Sequence, residues 1–154
     1  MINIVDGDLI YAKEDILVHQ VNCQWQGVMN SGVAKDIRNN FTEAYEEYKK
    51  FSSSTKDNQS LLGEVQLVNS RGKIIANMFS QLNYGYDKKQ YTNYLALATG
   101  LNKILKFASQ KGLTIAIPYK IGCVRGGADW NVVLKIIENI FMDYDITIYK
   151  LNKF

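Results

Sequence analysis

Two strand-like segments built around consecutive apolar residues constrain the fold most strongly. They are 15–22 (DILVHQVN) and 113–118 (LTIAIP), and neither shows the polar–apolar alternation of a half-exposed strand. Continuous apolar strands of this kind are buried on both faces, as in a sheet that helices cover on either side. The chain therefore has to build a layered structure around an internal sheet.

Helical and strand-like segments alternate along the rest of the chain. Apolar residues at helical spacing predict helices over 32–40, 42–51, 91–110 and 129–141, with Thr42 as an N-cap and Gly112 as a C-terminal stop. Further strands are expected at 2–5, 63–69, 73–79 and 145–150, with a turn at 70–72. This alternation predicts an α/β layered sandwich with a largely parallel or mixed sheet.

Length and composition narrow the class of protein. The chain has 154 residues, which suits a single domain over 1–154, and its scattered basic residues give a net charge of +3. That mild charge favours a phosphate-bearing ligand over a cationic one and gives little support for a nucleic-acid footprint. No long apolar segment or signal-peptide pattern is present, so we expect a cytoplasmic protein without a membrane segment.

The cysteine and histidine content argues against a metal centre. Cys23 and Cys123 should stay reduced in the cytoplasm, and His19 is the single histidine. A zinc site requires about four ligands at close spacing, which these residues do not supply. We therefore expect neither a metal nor a cofactor.

Two glycine-containing loops follow the buried strands. The first, 22–37 (NCQWQGVMNSGVAKDI), follows a strand that ends at Asn22, and the second, 121–130 (IGCVRGGADW), follows one that ends at Pro118. Ligands of open α/β sheets bind outside the carboxyl ends of the strands, where glycines let backbone N–H groups converge on an anion. Neither loop matches a P-loop or a dinucleotide fingerprint. The loops predict a phosphate cradle, and the alternative is two tight connections without a ligand.

These loops, together with the segments 7–9 (GDL), 118–123 (PYKIGC) and 145–151 (DITIYKL), resemble the macrodomain family of ADP-ribose-binding modules. The details are most similar to the branch that holds ADP-ribose 1″-phosphate phosphatases and the terminal ADP-ribose protein glycohydrolase. The resemblance implies a three-layer α/β/α sandwich with a central mixed sheet. It also implies ADP-ribose or a derivative as the ligand, and nucleic acid only as an ADP-ribosylated substrate. We expect a monomer.

The resemblance assigns binding roles to individual residues. Asp8 would bind the adenine amino group, Leu9 would contact the base, and Leu151 would border the same side. For Asp8 the alternative is a turn aspartate that bonds its own backbone. Asn22 would lie near the distal ribose. The ribose and diphosphate would be wrapped by Met29, Asn30, Ser31, Gly32 and Val33, and by a second loop of Ile121, Gly122, Cys123, Val124, Arg125 and Gly126. For Arg125 the alternative is projection into solvent.

The catalytic positions depart from the family pattern. The catalytic lysine and aspartate of the glycohydrolase align with Gln81 and Gly126, so a lysyl intermediate is disfavoured. The first loop also carries an insert at Trp25–Gln26, and Asn30 where glycine is common.

A water molecule for hydrolysis would need other groups to orient it. The candidates are Asn22, Ser31, Gln81, His19 and Asp129. His19 also fits a buried, hydrogen-bonded support for the loop, Asp129 fits a helix N-cap, and Ser31 could cap the first helix.

Three functions follow from this pattern. The first is hydrolysis of an ADP-ribose derivative, with ADP-ribose 1″-phosphate converted to ADP-ribose as the first expectation. The second is an ADP-ribose reader without turnover. The third is a hydrolase that removes ADP-ribosyl groups from protein or nucleic acid without a lysyl intermediate.

Overall fold

A six-stranded mixed sheet lies at the centre of the fold. The computed structural model describes residues 1–24, 29, 32–54, 57–83, 87 and 89–151. The strands are β1 (Ile2–Asp6), β2 (Ile16–Asn22), β3 (Val65–Ser70), β4 (Lys73–Gln81), β5 (Ile115–Pro118) and β6 (Ile146–Lys150). The helices are α1 (Gly32–Asn40), α2 (Thr42–Ser53), α3 (Tyr94–Lys111) and α4 (Trp130–Ile140), with short 3-10 turns at Leu9–Tyr11 and Asn58–Leu61.

The strand order brings most carboxyl ends to one edge of the sheet. The order is β1-β6-β5-β2-β4-β3, and every neighbouring pair is parallel except β3 with β4. The antiparallel pair is joined by the predicted turn, in which Arg71 and Gly72 adopt the left-handed backbone conformation. The loops that follow β1, β2, β4, β5 and β6 therefore open at the same edge, where an α/β sheet binds its ligand.

Helices cover both faces of the sheet, as the apolar strands predict. In β2, Ile16 and Val18 pack against the layer of α3 and α4, whereas Leu17 and Val21 pack against the layer of α1 and α2. All four side chains are buried, and each contributes roughly 1.5–3 kcal/mol by leaving water. None of the helices built from described residues is long and apolar enough to cross a membrane.

The helix boundaries match the sequence pattern with two corrections. Thr42 is the first residue of α2 rather than its N-cap: the cap is Phe41, which makes no side-chain capping hydrogen bond. Helix α3 begins at Tyr94 instead of residue 91, because Thr92 is bridged to Gln81 of β4. Gly112 ends α3 as predicted, with a left-handed φ of 66° that favours glycine.

Candidate functional site

A cleft of about 240 Å³ opens at the carboxyl edge of the sheet. Its walls come from the ends of β2, β4 and β5, from the start of α1 and from the loop after β5. Most of the described residues that the sequence predicts for the site lie on this lining. They are His19, Asn22, Met29, Gly32, Val33, Gln81, Ile121, Gly122, Val124, Arg125 and Gly126.

Three predicted adenine-side residues lie further along the same edge. Asp8 and Leu9 follow β1, and Leu151 follows β6, the strand paired with β1. None of the three is on the cleft lining. Asp8 caps the 3-10 turn, since its Oδ1 accepts from the backbone N–H of Ile10 at 3.1 Å. This is the turn role that the sequence left open, and adenine recognition by Asp8 stays a prediction.

Part of the first loop lies outside the described residues. Asn30, Ser31 and the insert at Trp25–Gln26 belong to that part, so their predicted roles stay predictions. The described Met29 is buried, and Gly32 begins α1 with a left-handed φ of 60°. The start of α1 therefore faces the cleft and offers the positive end of a helix dipole to an anion.

The loop after β5 has the backbone geometry of an anion cradle. Lys120, Gly122 and Gly127 have left-handed φ values of 59°, 78° and 68°, and the N–H of Ala128 closes the loop onto the Gly122 carbonyl at 3.0 Å. Within the described part of the chain, the backbone N–H groups of Gly122, Val124 and Gly126 donate no hydrogen bond. Successive N–H groups in such a loop can bind a phosphate together.

Charge on this lining is positive. Arg125 and Lys120 both belong to the segment after β5 and both line the cleft. A guanidinium can bind two oxygens of one phosphate at once, which a single ammonium cannot do in the same fixed geometry. The loop is thus suited to a ligand with more than one anionic oxygen.

Asn22 presents its amide N–H₂ at the end of β2. Its Oδ1 accepts from the backbone N–H of Gln24 at 3.1 Å, and a backbone N–H can only donate, so the oxygen of the amide is identified. The hydroxyl of Tyr48 lies 3.1 Å from the same Oδ1 and 3.0 Å from the Asn22 carbonyl oxygen. The Nδ2 group makes no hydrogen bond to any described residue, which leaves two donors beside the cleft.

Gln81 is held in a side-chain network under the cleft. Its Oε1 lies 2.7 Å from Nε2 of Gln20, which is also 3.0 Å from the Thr92 hydroxyl. Ser80 donates to Oε1 of Gln20 at 2.6 Å, and Thr92 donates to the Gly122 carbonyl at 2.8 Å. Neither Gln20 nor Thr92 is among the site residues predicted from the sequence. A polar Gln20 inside an apolar strand was the one available signal.

His19 is a buried, hydrogen-bonded histidine, as one of the two sequence-based alternatives predicts. Its Nε2 lies 2.6 Å from Oδ1 of Asn77, whose Nδ2 donates to the Ala44 carbonyl and to Gln66. Because Nδ2 is engaged as a donor, Oδ1 accepts and His19 carries its proton on Nε2. Burial lowers the pKa of His19 to about 4, so the ring is neutral near pH 7 and a weak base. Its catalytic role stays a prediction.

The remaining nucleophile and acid–base candidates have structural roles. Burial raises the pKa of Cys23 to about 12 and that of Cys123 to about 11, so both are protonated thiols. Cys123 belongs to the second loop but is not on the cleft lining. Asp129 caps α4 by accepting from the Asn131 N–H at 2.9 Å, as the alternative reading predicts. Among the described residues, no three histidine, cysteine or acidic side chains are grouped to hold a metal ion.

The fold and the cleft define a class of three-layer α/β/α domains with a cleft at the carboxyl edge of a mixed sheet, whose loops have the geometry to bind an anion. No protein-family model matches the chain. A curated relative, the DNA ADP-ribosyl glycohydrolase of Mycobacterium tuberculosis (strain ATCC 25618 / H37Rv), is 26% identical over 157 residues. The alignment covers 97% of this chain and 42% of that protein, so the chain spans less than half the length of the curated relatives it matches.

Solved structures give the same relationship. The macrodomain of Mycobacterium tuberculosis DarG superposes with a TM-score of 0.80 at 25% identity, over 97% of both chains. Thermosipho africanus DarTG in complex with ADP-ribose superposes with a TM-score of 0.76 at 18% identity, over 97% of this chain and 41% of that one. These structural neighbours are macrodomains, so the chain has the macrodomain fold, which confirms the resemblance in its sequence.

Proposed function

We propose that this chain binds ADP-ribose in the cleft and hydrolyses an ADP-ribose derivative. The observation that carries the proposal is the convergence of hydrogen-bond donors on one cleft. Backbone N–H groups of the loop after β5, the guanidinium of Arg125 and the amide of Asn22 all border it. A ribose joined to a diphosphate presents a matching series of acceptor oxygens.

ADP-ribosyl groups on DNA are the first substrate to test. The curated relatives that match almost the whole chain carry the name DNA ADP-ribosyl glycohydrolase, which favours this substrate over others. ADP-ribose 1″-phosphate is the second candidate, because the same cleft would accept a further phosphate near its loops. In the first reaction water replaces the DNA base at the ribose C1″, and in the second it replaces ADP-ribose at phosphorus.

The chemistry has to proceed without an acidic or amine side chain at positions 81 and 126. Gln81 carries a neutral amide and Gly126 has no side chain, so neither residue can remove a proton from water. We infer that the substrate itself accepts the proton of the attacking water, while fixed donors stabilise negative charge on the departing group. Asn22 and Gln81 are the side chains on the lining with amides suited to that role.

Calorimetry with ADP-ribose, followed by turnover assays, tests the proposal. The substrates are an ADP-ribosylated DNA oligonucleotide, an ADP-ribosylated protein and ADP-ribose 1″-phosphate, with released ADP-ribose measured by chromatography. We expect binding and release from at least one substrate, and Asn22→Ala should weaken binding about tenfold through loss of its hydrogen bonds to the ligand. Binding without release from any substrate would show that the chain is an ADP-ribose reader without turnover. Absence of binding would overturn the whole proposal.

A further inference from the structure

A network of side-chain hydrogen bonds decides which atoms Gln81 presents to the cleft. We propose that Gln20 and Thr92 are positioning residues that fix Gln81 as a hydrogen-bond donor. This part of the cleft then selects an acceptor oxygen of the ligand, such as a phosphoryl or hydroxyl oxygen, over an amine. The inference rests on the proposed function, because it concerns the ligand of the same cleft.

The orientation of the network follows from one backbone carbonyl. The Gly122 carbonyl oxygen can only accept, so the Thr92 hydroxyl donates its single proton to this oxygen at 2.8 Å. Thr92 must therefore accept from the Gln20 atom at 3.0 Å, which identifies that atom as Nε2. The second proton of Nε2 then points to Gln81 at 2.7 Å, where only the amide oxygen can accept it.

The remaining contacts agree with this assignment. Oε1 of Gln20 accepts from the Ser80 hydroxyl at 2.6 Å, so both ends of the Gln20 amide are satisfied. The Oε1 of Gln81 is turned toward Gln20, and its Nε2 makes no hydrogen bond to any described residue. Gln81 is only 8% exposed, and it lies on the cleft lining. The free donors of this buried amide are therefore available to a ligand rather than to bulk water.

The same network explains why no side chain stands at position 126. A Cβ built on Gly126 would lie 2.1 Å from the Thr92 hydroxyl, 2.4 Å from the Gly122 carbonyl oxygen and 3.0 Å from Nε2 of Gln20. An aspartate there would require the network to be dismantled. The glutamine at 81 and the glycine at 126 are thus two parts of one arrangement, which replaces a base by a fixed donor.

Two fixed donors define the ligand chemistry. Asn22 and Gln81 each have the amide oxygen engaged within the protein and the amide nitrogen without a described partner. Both lie on the lining of one cleft. A pair of N–H₂ groups binds carbonyl, hydroxyl or phosphoryl oxygens and repels a cationic amine.

The variant Gln81→Glu tests the donor directly. Gln20 can still donate to one carboxylate oxygen, while the second oxygen becomes an anionic acceptor in place of the N–H₂. At pH 8 we expect ADP-ribose affinity, measured by calorimetry, to fall about tenfold or more, because a donor to a charged or polar oxygen is replaced by repulsion. As the pH falls towards 5, protonation of a buried glutamic acid restores a donor, and affinity should recover.

Controls separate this effect from general titration and from charge. His19, Tyr119, Lys120 and Arg125 are the titratable side chains on the described lining, and the wild-type protein measured in parallel reports their contribution. Gln110→Glu makes the same chemical change on the exposed end of α3 and should leave affinity unchanged at every pH. Unchanged affinity of Gln81→Glu at pH 8, or a loss that does not recover at low pH, would overturn the proposal.

Thr92 gives an independent test if Gln81→Glu fails to fold. Thr92→Ser keeps the hydroxyl and should bind ADP-ribose like the wild type, whereas Thr92→Val keeps the shape, loses the hydroxyl and should bind about fivefold more weakly. Equal affinity of these two variants would contradict the positioning role. Failure of the wild type to bind ADP-ribose would instead refute the proposed function, so the two failures are distinguishable.

Discussion

At the scale of single residues, Gly126 is required for space rather than for backbone freedom. Its φ is not in the left-handed region, yet a Cβ would lie 2.1 Å from the Thr92 hydroxyl and 2.4 Å from a backbone oxygen. Real Cβ atoms do not approach so closely, so the loop would have to move. We expect Gly126→Ala to lower the free energy of unfolding by about 2–3 kcal/mol and to weaken ADP-ribose binding, measured by urea denaturation and calorimetry.

Gly72→Ala is the matched control for that substitution. Gly72 lies in the β3–β4 turn, where a Cβ would meet no atom within 4 Å, but its φ is 80°. This variant should lose roughly 1–2 kcal/mol through backbone strain and keep full affinity for ADP-ribose. If Gly126→Ala were no more destabilising than Gly72→Ala and bound equally well, the close packing of the loop against Thr92 would be wrong.

His19 makes the stability of the protein depend on pH. Burial holds its pKa near 4 in the folded state, whereas the unfolded chain titrates near 6.5. Between these values the unfolded state binds the extra proton, so stability is fully present above the unfolded pKa and is lost as pH falls. At pH 4 we expect a loss of about 3 kcal/mol relative to pH 7 from this residue.

Urea denaturation of wild type and His19→Gln between pH 7 and pH 4 measures that contribution. The carboxyls of Asp15, Glu43 and Asp87 also have lowered pKa values, because each accepts hydrogen bonds, and they destabilise the fold on acidification in both proteins. The difference between the two curves therefore isolates His19. Parallel curves would show that the histidine is not a neutral buried group.

At the scale of elements, helix α2 fixes the carboxyl end of β2. The hydroxyl of Tyr48 lies within 3.1 Å of both oxygens of Asn22, while its ring stacks on Phe79 of β4. Tyr48→Phe keeps the ring packing and loses the hydroxyl. We expect ADP-ribose affinity to fall about fivefold, which corresponds to roughly 1 kcal/mol, because Asn22 is held less firmly.

Tyr144→Phe provides the comparison at the opposite edge of the sheet. The Tyr144 hydroxyl donates to the carbonyl of Leu113, after the end of α3 and far from the cleft. Each of the two variants loses one hydroxyl hydrogen bond, so Tyr144→Phe should lose about as much stability in urea denaturation as Tyr48→Phe. Unlike Tyr48→Phe, it should keep its affinity for ADP-ribose in calorimetry. Equal affinities for Tyr48→Phe and wild type would mean that Asn22 does not depend on α2.

The elements themselves were readable from the sequence, and the contacts between them were not. Continuous apolar strands and helical periodicity gave every helix and every strand to within a few residues. The sequence pattern placed Thr92 in the first turn of α3, because its bonds to Gln20 and Gly122 span 72 and 30 positions of the chain and leave no local signal. Local patterns carry no information on such pairing, and a polar glutamine within the mostly buried strand β2 indicated a partner without identifying it.

At the scale of the whole molecule, the cleft joins the two helical layers. The start of α1, on one face of the sheet, forms one wall. The other wall is the loop after β5, which leads into α4 on the opposite face. The sequence placed both loops at a common edge through the rule for parallel strands. It could not give the strand order, which leaves β2 beside β5 and so sets the two loops next to each other.

A ligand that bridges both walls should stabilise the entire fold. At one hundred times its Kd, ADP-ribose adds about 2.7 kcal/mol to the free energy of unfolding. For a domain of this size we expect a rise in Tm of about 5–10 °C, measured by differential scanning calorimetry. Asn22→Ala, compared at the same ligand concentration, should show a smaller rise because its Kd is higher.

Hydrogen exchange locates the same effect within the molecule. With ADP-ribose bound, amides in 119–128 and in the first turn of α1 should exchange more slowly, because both segments border the cleft. Amides in the 70–73 turn, which joins β3 to β4 away from the cleft, should change little under conditions of local opening. Protection confined to one of these two segments would show that the ligand does not bridge the layers, even if the Tm rises.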